Sequence, residues 1–299
     1  MKQTWTVAMI NRKGGCGKTS SVFHLGGSLA LRQGLSVLLV DADPQASLTQ
    51  GFFGSAAAGE IPKRETLAAL FDDAREPRPE EIIKATGIDR LSIVCASPQL
   101  DQYNVPVPPL TGEADGELTD ALTRHAARLQ RSLSEFLKET AGRFDLILID
   151  CPPNLHLCSW AGLLASDYVV VPVQPENFGA QGITQVQKAI DLAIEKYNPR
   201  LRLLGYLVTM HQKRLRVHSV YHRQLRGLYG DQVFTATVPA QKDYKEAVAL
   251  HRPVSQYKPQ STAAQAVEEV ASELLRRAEV VWQQPREFLY IENRMRKVG

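Results

Sequence analysis

Short, nearly uninterrupted apolar runs alternate along the chain with longer stretches of helical period. Seven runs read as strands: "TWTVAMI" (4–10), "SVLLVDAD" (36–43), "LSIVCAS" (91–97), "FDLILIDCPP" (144–153), "DYVVVPVQP" (167–175), "RLLGYLVTM" (202–210) and "QVFTATVP" (232–239). A strand with one wet face would alternate apolar and polar residues, whereas continuous apolar character marks burial on both faces, as in a parallel sheet. Helical patterns occupy about 18–33, 129–141, 181–197, 214–229 and 262–282. This alternation predicts an α/β fold, a doubly wound, mostly parallel sheet flanked by helices, with ligands at the carboxyl ends of the strands. "GSAAAGEIPKRE" (54–65) and "LDQYNVPVPPLTGEADGELTD" (100–120) read as loops or insertions. We take 1–282 as one domain and 283–299 as a C-terminal tail set off by Pro285.

Composition narrows the classes. A chain of 299 residues with 44% apolar content can bury a large core. Cys16, Cys95, Cys151 and Cys158 lack paired short spacing and read as reduced thiols of a cytoplasmic protein. The first apolar run is too short for a signal peptide, and no stretch approaches the roughly 20 apolar residues of a membrane span.

The first strand leads into "NRKGGCGKTSS" (11–21) and then into a helix. The common phosphate loop reads G-x-x-x-x-G-K-[ST]. Here Arg12 stands where its first glycine belongs, and Lys13 adds a second cation. Glycines let backbone N–H groups converge on an anion, and the helix N-terminus adds partial positive charge. Lys18 would neutralise β- and γ-phosphate charge, and the Thr19 hydroxyl would ligate Mg²⁺.

"KGGCGKT" resembles the deviant Walker A motif, K-G-G-x-G-K-[ST], of the ParA/MinD family of ATPases. The resemblance implies a P-loop fold, ATP and Mg²⁺ as cofactors, and a dimer that sandwiches two nucleotides. Gly14, Gly15, Cys16, Gly17, Lys18, Thr19 and Ser20 would wrap the phosphates, while Lys13 would reach the partner's nucleotide. "VDADPQASLT" (40–49) resembles the family's D-x-D-P-Q segment, in which Asp43 orients the attacking water and Asp41 supports the Mg²⁺ shell. A helix cap is the plainer role for an aspartate at such a turn, and one residue can do both. "FDLILIDCPPN" (144–154) has Walker B form, with Asp150 meeting Mg²⁺ through water, and "VVVPVQPENFGAQGI" (169–183) resembles the family's P-x-x-P-E segment. Thr209, Met210 and Pro239 are expected around the adenine. Cys16 stands where the family often has Val and reads as a small space-filler.

Charge is unevenly placed. From Lys196 to Lys258 there are twelve Lys or Arg against three Asp or Glu, a balance of +9; since the chain totals +3, the remainder nets −6. On a helical projection of 213–229, Val217, Tyr221, Gln224 and Leu228 share one face, and Arg216, Arg223 and Arg226 the other. With Lys213, Arg214, Lys242, Lys245 and Arg252, these arginines predict a surface that holds nonspecific DNA through its phosphates. ParA proteins of the short form, which begin at the ATPase strand as this chain does, bind DNA in this way as ATP dimers and answer to a ParB-like activator. One departure is Ala240, where many relatives carry arginine after the proline.

Three rival readings compete. A MinD-like membrane-associated positioning ATPase would use "REFLYIENRMRK" (286–297) as an amphipathic helix, but its apolar positions align only partly. A nitrogenase-reductase-like iron–sulfur ATPase would need Cys95 and Cys151 in glycine-rich contexts that they lack. A ligase resembling dethiobiotin synthetase would need a substrate motif that is not evident.

Overall fold

A computed structural model describes residues 4–72, 77–106, 117–175 and 179–283. Its strands are β1 (Trp5–Met9), β2 (Val37–Asp41), β3 (Ile83–Ala85), β4 (Leu91–Val94), β5 (Leu146–Asp150), β6 (Tyr168–Val173) and β7 (Arg202–Val208). Its helices are α1 (Lys18–Leu31), α2 (Ser47–Gly59), α3 (Pro79–Ile82), α4 (Glu117–Glu139), α5 (Leu157–Ala165), α6 (Gly179–Lys196), α7 (Arg216–Tyr229), α8 (Lys242–Ala249), α9 (Val254–Tyr257) and α10 (Thr262–Gln283). The sheet order is β3-β4-β2-β5-β1-β6-β7, and every pairing is parallel except β3 with β4. The expected doubly wound α/β architecture is therefore present.

The continuous apolar runs are explained by two cores, one on each face of the sheet. Ala8, Leu38, Val40, Ile147, Ile149 and Val171 point into the core covered by α4, α5 and α6. Their alternates Val7, Met9, Leu39, Leu148 and Val170 point into the core covered by α1 and α10. A period of two along each strand thus feeds both layers, and neither face is left for water.

The pattern misleads in several places. The stretch 54–65 is not all loop: α2 runs on to Gly59 through a kink at Gly54, whose φ is 77°. Small residues gave no period there because only Ala58 of the distal half is buried. Likewise 100–120 is not all loop, since a short 3₁₀ turn spans Pro98–Gln102 and α4 begins at Glu117, while 107–116 lie outside the described residues. The strand expected at 232–239 does not form; only isolated bridges, Tyr206 with Val233 and His211 with Pro239, join the segment to its neighbours. Side chains have taken the groups a ladder would use. The Thr235 and Ala236 N–H groups donate to the Glu273 carboxylate, and the Val233 carbonyl accepts from Arg277. Gly205 permits this close approach: its φ is 144°, and a Cβ there would lie 2.0 Å from the Gln232 carbonyl oxygen. The tail 284–299, including the amphipathic segment weighed above, lies outside the described residues.

Candidate functional site

The loop between β1 and α1 is braced from both sides. Gly15 and Gly17 take left-handed φ values of 72° and 84°, which turn the chain so that α1 starts at Lys18. Asn11 is buried beneath the loop; its side-chain amide donates to the Pro172 carbonyl (2.6 Å), and its oxygen accepts the Lys13 N–H (3.0 Å). Thr209 is also buried, and its hydroxyl donates to the Cys16 carbonyl at 2.8 Å. The ends of β6 and β7 thereby brace the loop from below. Lys18 lies inside, 6% exposed, with its Nζ on the Lys13 carbonyl at 3.2 Å. Arg12, Lys13, Gly14 and Gly15 are exposed, Gly17, Thr19 and Ser20 half-buried, and the Arg12 guanidinium donates to Gln185 on α6. Cys16 is buried and its thiol is pushed up by that burial, so it is a filler of space and not a reactive group.

Beside the loop stand two buried carboxylates. β2 and β5 end together, and Asp41 pairs with Asp150 in their register. Asp41 accepts three donors: the Thr49 N–H (2.8 Å) and hydroxyl (2.7 Å) at one oxygen, and the Asp43 N–H (3.2 Å) at the other. It therefore satisfies an orphan N–H in the first turn of α2, so the capping role open to an aspartate at this turn falls to Asp41. Burial raises the Asp41 carboxyl to about 7 against those hydrogen bonds. Asp150 is raised well above the usual carboxylate range, first by burial and then by the charge of Asp41. The nearby Thr19 hydroxyl and then the Lys18 charge favour its charged form, yet neither buried oxygen has a partner in full hydrogen-bond geometry.

Such a carboxylate is costly unless a cation meets it. The donor set fits Mg²⁺: the carboxylate oxygens of Asp150, the Thr19 hydroxyl close by, and Asp41 behind. Mg²⁺ is usually held by one or two carboxylates and keeps water and phosphate ligands, so a donor set of this size meets its needs. Asp43 is half-buried at the turn into α2. Its carboxylate accepts the Gln45 N–H at 2.9 Å, and the turn closes through Ala46 at a left-handed φ of 52°.

A cleft of about 620 Å³ adjoins the segment after β7 and is lined by His211, Lys213, Arg214, Pro239 and Gln241. The His211 N–H donates to the Val238 carbonyl and the Ala240 N–H to the His211 carbonyl, which fixes the two walls. Pro239 thus faces the cleft, Met210 is 37% exposed beside it, and Thr209 spends its side chain on the phosphate loop.

The basic positions separate into two kinds. Lys213, Arg214, Arg216, Arg223, Lys242, Lys245 and Arg252 are exposed. Arg226 is exposed too, but its guanidinium is engaged, donating to Thr235 Oγ1 (2.7 Å) and the Val233 carbonyl (3.4 Å), and Lys242 pairs with Glu246 at 3.5 Å. The packed face of α7 also differs from the projection. Leu225 is its buried residue, with Tyr221 and Tyr229 packed partly against the core, while Val217 and Leu228 are 49% and 74% exposed. Aromatic and histidine side chains hold this helix down, which an aliphatic count overlooks. The Glu176 portion of the P-x-x-P-E segment lies outside the described residues. Sequence reasoning missed Asn11 and Thr49, since neither residue type is distinctive at a strand–turn or in a first helical turn.

A glycine-rich loop with a buried lysine and two metal-competent carboxylates, all at the carboxyl end of a parallel sheet, define a P-loop nucleotide-binding protein with a deviant Walker A loop. The AAA domain family matches residues 4–203. The chain is 33% identical over 268 residues to the sporulation initiation inhibitor protein Soj of Bacillus subtilis, covering 90% of this chain and 97% of Soj. It is 30% identical over 273 residues to the chromosome partitioning protein ParA of Myxococcus xanthus, covering 91% and 88%. The chain belongs to the ParA/Soj family of partition ATPases. Its fold is similar to that of the Mycobacterium smegmatis cobyrinic acid a,c-diamide synthase with bound ADP and magnesium (TM-score 0.72, 28% identity, 92% and 96% covered). That synthase has also been solved with a bound ATP analogue and magnesium, and the loop and carboxylates described above fit ATP and Mg²⁺ as cofactors. Among the described residues no helix is long and apolar enough to cross a membrane.

Proposed function

We propose that this ATPase works as an ATP-dependent sandwich dimer that binds nonspecific DNA and, through hydrolysis, partitions or positions a cargo in the cytoplasm. The observation that carries the reading is the opposite exposure of two lysines of one loop. Lys18 is buried in its own cradle, while Lys13 stands at the exposed side of the same seven-residue motif. A desolvated lysine–phosphate contact across an interface would make dimer stability depend on the triphosphate.

In this reading the loop N–H groups and Lys18 bind the phosphates, and Thr19 and Asp150 hold Mg²⁺, which neutralises phosphate charge. Asp43 holds the attacking water in line, and its turn is stationed by Asp41. The exposed cations of two joined copies form a DNA-facing surface. A ParB-like partner raises the turnover, weak in the protein alone, and the dimer then leaves DNA. Cargo identity, whether plasmid, chromosome or protein assembly, is not encoded in the site. The test is the mass of Asp43→Ala protein with ATP and Mg²⁺ by light scattering: a dimer is expected, and a monomer at all concentrations overturns the reading.

A further inference from the structure

We infer that Thr49 is a positioning residue for hydrolysis: through Asp41 it fixes the backbone turn that carries Asp43. Thr49 is the third residue of α2 and is fully buried. Its Oγ1 accepts the Ala96 N–H at 3.0 Å, just beyond β4. That acceptance leaves the hydroxyl proton to point at Asp41, 2.7 Å away. The threonine is therefore locked as a donor, and it supplies two of the three hydrogen bonds that Asp41 accepts.

The third bond is the one that matters for chemistry. The other oxygen of Asp41 takes the Asp43 N–H at 3.2 Å. Asp43 in turn anchors Gln45 through its own carboxylate, so the turn Asp41–Gln45 is a chain of hydrogen bonds whose far end is Thr49. A carboxylate held by Thr49 offers Asp43 one fixed acceptor. A carboxylate released from it could rotate and let the turn drift, and a displacement of an ångström at a water-orienting group is costly. β4 and α2 thus jointly set the geometry of a residue that neither carries.

The inference rests on the reading of Asp43 as the water-orienting residue, and the test separates the two. Thr49→Val keeps shape and the backbone donor but loses the hydroxyl, both as donor to Asp41 and as acceptor from Ala96; Thr49→Ser keeps all of these contacts. Hydrogen exchange of the nucleotide-free protein reads the turn directly, without turnover. Losing a hydrogen bond to a charged acceptor corresponds to about a 10- to 100-fold change, so residues 41–46 should exchange faster by that order in Thr49→Val and normally in Thr49→Ser. ATP turnover should show a kcat loss of similar size in Thr49→Val, with KM within about twofold, and recovery in Thr49→Ser. Unchanged exchange, or faster exchange with full kcat, would overturn the role of Thr49. If Asp43→Ala itself turned over normally, the water-orienting assignment would fall, whatever the exchange showed. Should Thr49→Val not fold, Thr49→Cys, a weak donor of similar size, must give an intermediate loss in both readouts, and full activity in it would refute the inference.

Discussion

Asp41 and Asp150 are register partners at the ends of β2 and β5, and neither is exposed to solvent. Their mutual charge raises Asp150 after burial has already done so. Burial and the neighbouring carboxylate both disfavour the Asp150 anion, a cost that a divalent cation relieves. Replacing Asp150 with Asn should therefore stabilise the nucleotide-free protein, by about 1–3 kcal/mol, which is a few degrees in Tm for a chain of this size. The same substitution should abolish the added stabilisation by ATP with Mg²⁺. Thermal unfolding in chelator, and then with nucleotide and metal, measures both; equal melting of the two proteins in chelator would contradict that cost.

Lys13 and Lys18 sit in one motif with opposite exposure, so their losses should be separable. Lys18→Ala should lose nucleotide binding by about two orders of magnitude, as expected when a charge-assisted phosphate contact of roughly 3 kcal/mol goes. Lys13→Ala should bind nucleotide within a few-fold of the native protein and fail to dimerise. Calorimetric nucleotide titration paired with sedimentation decides it, and a Lys13→Ala variant that dimerises normally with ATP would contradict the shared-cation arrangement.

His24 places a titratable ring inside α1. Its Nδ1 accepts the Val254 N–H at 3.1 Å, and its ring packs on Phe23 and Tyr244. Burial depresses it to about 3 from an ordinary 6.5. The unfolded chain therefore takes up a proton below pH 6.5 that the folded protein refuses until about pH 3. Stability from this group is complete above 6.5 and falls as pH drops through that window, by up to about 1.4 kcal/mol per unit. The raised carboxyl of Asp41 acts in the opposite sense, losing stability as pH rises toward 7. The His24 share is thus read as a difference: His24→Asn keeps an acceptor for Val254 and should show a flatter loss than the native protein between pH 6.5 and 4. Parallel curves would show that His24 is not neutral in the fold.

The sheet was legible because burial on both faces writes continuous apolar runs, and the phosphate loop because Gly15 and Gly17 meet a backbone demand that few other residues satisfy. Asp41 and Asp150 were legible as strand-end carboxylates. Less visible were features made by side chains meeting backbone from distant positions. Glu273 and Arg277 convert an apparent strand at 232–239 into a loop. Thr49 and Asn11 act through partners that the sequence keeps far apart or leaves undistinguished. The edge strand β3, the two short helices α3 and α9, and α8 carry too few residues for a period to emerge. On α7, arginine positions looked equivalent in projection, although one of them is spent on the fold.

That difference on α7 yields the sharpest test of the DNA surface. Arg216 and Arg223 are exposed, as is Lys213 before the helix, whereas the guanidinium of Arg226 bridges Thr235 and the Val233 carbonyl. Phosphate contacts release counterions, so each lost contact should flatten the slope of log affinity against log salt by about 0.9. Replacing Lys213, Arg216 and Arg223 together with Ala should then reduce the slope by about 3 if each meets a phosphate, without altering the unfolding midpoint. Arg226→Ala should do the reverse, costing about 1 kcal/mol of stability by loosening the segment after α7 while leaving the salt slope nearly intact. Fluorescence anisotropy with short duplex DNA across a salt series, run beside thermal melts, separates the two sets. A triple variant with an unchanged slope would move the DNA surface off α7 and toward Lys242 and Lys245 on α8 and Arg252 in the turn into α9.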